Sequence, residues 1–92
     1  MSWHVRFDTA FELEFDELAA EVQDELLAHA KLIEAFGPRL GRPRVDTLKG
    51  ARYSNMKELR FDAANGVWRV AFAFDPKRRA VLLVAGDKSG VN

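Results

Sequence analysis

Ninety-two residues, 48% of them hydrophobic and including seven Phe and two Trp, suit one domain over residues 1–92 with a single modest core. Cysteine is absent, which excludes disulfides and thiolate metal sites; no apolar leader core or run of roughly 18 apolar residues is present, so the expectation is a cytoplasmic chain without membrane contact. The formal net charge of zero conceals a split: residues 1–36 set nine carboxylates against Arg6 and Lys31, and residues 37–92 set twelve cations against five carboxylates, which fits a nucleic-acid binder with an acidic counterweight or two ordinary solvated faces.

Trp3-His4-Val5-Arg6-Phe7 alternates apolar and polar residues and reads as a first strand. Asp8 or Thr9 then suits a helix N-cap, because either side chain can accept a free backbone N–H. Phe11, Phe15 and Leu18 follow at helical spacing, and Val22, Leu26, Ala30, Ile33 and Phe36 form a second helical pattern. No breaker separates the two at Ala19-Ala20; the division into two helices is placed there. Gly37-Pro38 ends the helical region, since Gly takes the left-handed conformation and Pro cannot continue a helix. Residues 37–50, rich in Gly, Pro and Arg, read as a connector carrying Arg39, Arg42, Arg44 and Lys49.

A β-meander is predicted for the remainder. Met56–Asp62 forms one strand, Asn65-Gly66 is a hairpin signal, and Val67–Phe74 forms the next strand. Asp75-Pro76-Lys77-Arg78 makes a turn. Arg79–Ala85 is almost wholly apolar and reads as a central or doubly covered strand. The order β-α-α-β-β-β defines an α+β fold, with the helices on one face of a mostly antiparallel four-stranded sheet.

Alternation places Trp68, Val70, Phe72 and Phe74 on a core face of the second meander strand, and Val67, Arg69, Ala71 and Ala73 on the other. The small neighbours of Arg69 leave room for its guanidinium. On the preceding strand Leu59 and Phe61 look inward, while Lys57, Glu58 and Arg60 break simple alternation, which suggests a bulge. Lys49 and Arg52 lead into that strand, and Lys57, Arg60, Arg69 and Lys88 are candidates to converge on one sheet surface or its rim, where each is otherwise a solvated cation. Tyr53 is a candidate for stacking on a base, and Trp68 reads as core. With only His4 and His29 present, on separate elements, any RNA cleavage would run on Lys and Arg. A lone Lys is a poor base at its free pKa of ~10.4, although clustered cations lower that value. Glu14, Glu17, Glu21 and Asp24 recur at helical spacing and read as a solvated face before a cation site. Gly86-Asp87-Lys88-Ser89-Gly90 lacks the length and the following helix of a phosphate-binding loop. No metal and no cofactor is expected.

The runs Gly41–Gly50, Arg52, Asn55–Phe61, Gly66–Phe74 and Val84–Gly90, with their Leu-Lys-Gly, Lys-Glu-Leu-Arg and Trp-Arg-Val elements, resemble the phage-derived HigB-like branch of the RelE/ParE toxin superfamily over essentially the whole chain. The resemblance implies a RelE-like fold with an N-terminal helical hairpin. It also implies a type II toxin–antitoxin toxin that acts as a ribosome-dependent mRNA endoribonuclease (an mRNA interferase) and is neutralised by a helix-turn-helix antitoxin. The alternatives are a ParE-like inhibitor of DNA gyrase that cuts no RNA, or an inactive homologue that retains only antitoxin binding. Self-pairing into a homodimer stays open.

By the same resemblance Lys57, Arg69 and Lys88 take the catalytic positions, with Arg69 at the scissile phosphate, and Lys49, Arg52, Tyr53 and Arg60 contact RNA. Relatives often carry His where this chain has Tyr53. They usually continue past the position of Gly90 into a C-terminal helix whose aromatic residue completes the site, whereas this sequence stops at Asn92.

Overall fold

A computed structural model describes residues 3–48 and 56–87. The chain runs through β1 (His4–Phe7), α1 (Thr9–Asp16), α2 (Ala20–Phe36), a 3-10 turn (Gly37–Arg39), β2 (Val45–Thr47), β3 (Met56–Ala63), β4 (Gly66–Phe74) and β5 (Arg79–Asp87). The sheet order is β1-β5-β4-β3-β2. β1 lies parallel to β5, and every other neighbouring pair is antiparallel. The α+β architecture and the helix-then-meander order match the sequence expectation. The sheet has a fifth strand, however, because the connector supplies β2 at its edge.

Local signals account for the helix boundaries. The Asp8 carboxylate accepts the Ala10 N–H at 3.2 Å and caps α1. α1 ends at Asp16 and α2 begins at Ala20, so the division stands without a Gly or Pro at the junction. There the Gln23 side-chain amide donates to the Phe15 carbonyl at 2.8 Å, tying the start of α2 to the end of α1. Gly37 closes α2 with a φ of 55°, and a Cβ at that position would overlap the Trp3 indole.

One face of the sheet packs against the helices. Phe11, Val22, Leu26 and Ile33 from the helices meet Val45, Leu59, Phe61, Val70, Phe72, Ala80 and Leu82 from the strands. Alternation along β4 is as expected: Val70 and Phe72 are buried, whereas Val67 is exposed on the opposite face. β3 pairs with β4 in unbroken register from Met56↔Ala73 to Ala63↔Gly66, so the bulge expected near Lys57 is absent. The irregularity lies instead between β4 and β5, at Ala71/Phe72. No described helix is long and apolar enough to cross a membrane.

The β3–β4 hairpin turns one residue earlier than the Asn-Gly signal suggests. Ala63 pairs with Gly66, leaving Ala64 and Asn65 as a two-residue loop with φ values of 51° and 61°. Tight hairpins of this kind require positive φ at both central positions. Asn tolerates that conformation, but a Cβ at Ala64 costs about 1–2 kcal/mol. Ala64→Gly removes this strain and returns part of the gain as unfolded-chain entropy. The expected result is a net stabilisation of up to about 1 kcal/mol, visible as a higher urea midpoint; an unchanged or lower midpoint would contradict it.

Candidate nucleic-acid interface

The sheet face turned away from the helices carries the charged residues of β3 and β4. Register places Arg60 directly opposite Arg69, and Glu58 opposite Ala71 one pleat along. Two guanidiniums facing each other across adjacent strands repel, and a carboxylate beside them offsets the repulsion. The Glu58 side chain is 10% exposed, and its Oε1 accepts from Arg60 Nε at 2.8 Å while lying 3.7 Å from Arg69 Nε. Arg69 Nε is buried and makes no hydrogen bond. The two arginine side chains remain 42% and 41% exposed, so their outer ends face solvent.

β2 adds a second carboxylate. Asp46, opposite Glu58 in the register, receives Arg42 Nη2 at 3.0 Å and lies 3.7 Å from Arg60 Nη2. The hydrogen bond from Arg42, helped by the Thr47 N–H and the nearby Arg60 charge, holds the Asp46 carboxyl below its ordinary value of 3.8. The Glu58 hydrogen bond keeps Arg60 charged beyond its ordinary range. Arg42, Asp46, Thr47, Glu58, Arg60 and Arg69 line an open depression on this face, a shape and charge suited to an anionic ligand with planar or forked oxygens.

Of the cations expected to converge, Arg60 and Arg69 do so. Lys57 does not join them, because it shares the inward parity of Leu59 and Phe61. Its Nζ donates to Thr47 Oγ1 at 3.4 Å, and it lines an adjoining depression with Pro38, Leu40, Val45 and Phe74 that shares Arg42, Asp46 and Thr47 with the first. Lys49, Arg52, Tyr53 and Lys88 lie outside the described residues. Sequence reasoning missed Glu58 and Asp46 as members of the cluster and treated Arg42 only as a connector cation. The available signal was parity: Glu58 and Arg60 are two residues apart on one strand, hence on one face. The row of helical carboxylates is also divided, since Glu14 Oε1 accepts the Ala85 N–H at 2.9 Å and thereby secures α1 to β5.

The family model described as phage derived protein Gp49-like (DUF891) matches residues 13–92. The chain belongs to this Gp49-like family. It is 45% identical over 74 residues to HigB2 of Mycobacterium tuberculosis, a protein named as a candidate toxin, covering 79% of this chain and 37% of that protein. HigB3 of the same organism, named likewise, is 52% identical over 59 residues, or 64% of this chain and 50% of that protein. The Gp49-like chain thus spans half the length, or less, of the curated relatives it matches.

Among solved structures, a double arginine-to-alanine mutant of the E. coli toxin RelE in the free state superposes with a TM-score of 0.73 at 14% identity, covering 99% of this chain and 88% of that one. The archaeal RelE–RelB complex from Pyrococcus horikoshii OT3 gives a TM-score of 0.67 at 17% identity, covering 99% and 100%. The fold is RelE-like. The chain thus joins membership of the Gp49-like family to sequence similarity with HigB2 and HigB3 and to a RelE-like fold.

Proposed function

We propose that the chain is the toxin of a type II toxin–antitoxin pair, that it cuts mRNA on the ribosome in the cytoplasm, and that Arg60 and Arg69 meet the phosphate. The observation that carries this reading is the placement of two arginines face to face on the sheet surface that no described helix covers. Cleavage by an RNA 2′-OH builds charge on the phosphorus oxygens, and fixed guanidiniums lower that barrier. Arginine stays protonated and cannot take the 2′-OH proton. That task falls to Lys88 or Tyr53, with Lys49 and Arg52 guiding the strand. A helix-turn-helix antitoxin is the proposed partner, in keeping with the RelB-bound state of the archaeal RelE neighbour.

Induction of the chain without an antitoxin, followed by mapping of new RNA 5′ ends and of chromosome breaks, tests this reading. Growth arrest with cuts inside translated codons is expected. Broken DNA with intact mRNA would replace it with gyrase inhibition, and unimpaired growth would leave only antitoxin binding.

A further inference from the structure

We infer that Glu58 is a positioning residue that holds Arg60 and Arg69 together as a clamp for one phosphate group. The inference rests on the proposed contact between these arginines and RNA, and adds a carboxylate that this contact does not obviously require. Glu58 is the only buried charged residue of the described core region, at 8% exposure. A buried carboxylate is costly unless charged donors surround it. Here one oxygen faces the Nε of both arginines.

The use of Nε is the informative detail. A guanidinium carries five N–H donors in a fixed fork. An arginine that serves only to neutralise a carboxylate commonly offers it two nitrogens side by side. Arg60 and Arg69 each direct Nε, the nitrogen nearest the backbone, toward Glu58. Arg60 has a further, longer contact from Nη2 to Asp46 at 3.7 Å; Arg69 has no other ion pair among the described residues. The outer edge of the Arg69 fork therefore remains available to a ligand, and that of Arg60 makes only the long Asp46 contact; inward, Arg60 Nε is hydrogen-bonded to Glu58 while Arg69 Nε is drawn to the same oxygen by charge at 3.7 Å without a hydrogen bond. Without that anchor, two like charges at directly opposed register positions separate and no longer address the same group. With Arg42, Arg60 and Arg69 set against Asp46 and Glu58, the depression keeps an excess of one positive charge that a phosphate oxyanion can meet.

Simple charge counting and positioning make opposite predictions for Glu58→Gln. Removing a negative charge beside a phosphate site would tighten anion binding if Glu58 only opposed the ligand. If Glu58 positions the arginines, binding weakens. The test titrates wild type and Glu58→Gln with inorganic phosphate and, separately, with oligouridylate at fixed salt, following the arginine Nε–Hε resonances by NMR and the melting curve alongside. The expected result is about tenfold weaker binding of both probes in the variant, the scale of one charge-assisted hydrogen bond, with partial recovery in Glu58→Asp. In wild type, the Hε signals of Arg60 and Arg69 should exchange slowly and move together on phosphate addition.

Equal or tighter binding in Glu58→Gln overturns the positioning role while leaving the arginine–phosphate contact intact. Wild-type protein that binds neither probe overturns both. Hε signals that exchange as fast as those of free arginine refute the clamp even where the variant fails to fold.

Discussion

Arg69→Ala is expected to abolish growth arrest and to lower RNA cleavage by about 10²–10³-fold, the usual loss when one fixed donor to a developing oxyanion is removed. Arg69 is the cation that β4 contributes to the open face, and it stands opposite Arg60. Its side chain is 41% exposed, so truncation removes little packing and the fold should persist. Arg69→Lys keeps the charge but replaces a planar fork with a point donor, and should recover only part of the activity. New RNA 5′ ends after induction, counted against an equal amount of folded protein, provide the measurement. A variant as toxic as its parent would remove Arg69 from the site.

Phe72→Ala acts through the fold. Phe72 is fully buried two residues before the end of β4 and packs edge-on against Phe74, with ring centroids 5.3 Å apart. It also sits at the β4–β5 irregularity. Truncation of a buried Phe to Ala costs about 3–5 kcal/mol, against a total of about 5–15 kcal/mol for a small domain. The melting temperature should fall on the order of 15–30 °C, with loss of activity following from unfolding alone. A circular dichroism melt within a few degrees of wild type would show that the helix–sheet core tolerates the cavity.

Much of the fold was legible because its determinants are local. The Asp8 cap, the Gly37-Pro38 stop and the strand alternation that buries Val70 and Phe72 all lie within a few residues of the element they define. What escaped depends on pairing between distant segments. β2 is a strand because Val45, Asp46 and Thr47 find Leu59, Glu58 and Lys57, and nothing in a Pro- and Arg-rich connector announces a three-residue edge strand. The hairpin slipped by one residue because Gly66 looks like a turn residue yet serves as the first pair of β4. Lys57 was grouped with Arg60 by charge, although their odd spacing puts them on opposite faces. Glu58 looked like one more surface acid, since its two partners are recognisable only once the β3–β4 register is known.

The parallel pairing of β1 with β5 also bears on how the molecule comes into being. His4 has no strand partner until Arg79 arrives, and the helices that follow β1 cannot bury their apolar stripe against a sheet that lacks its middle. The β1–β5 pairing closes only after about seventy intervening residues, the slow ordering expected of non-local topology. The order of synthesis and the order of assembly therefore differ: the first strand made is the last of the described sheet to find its neighbour.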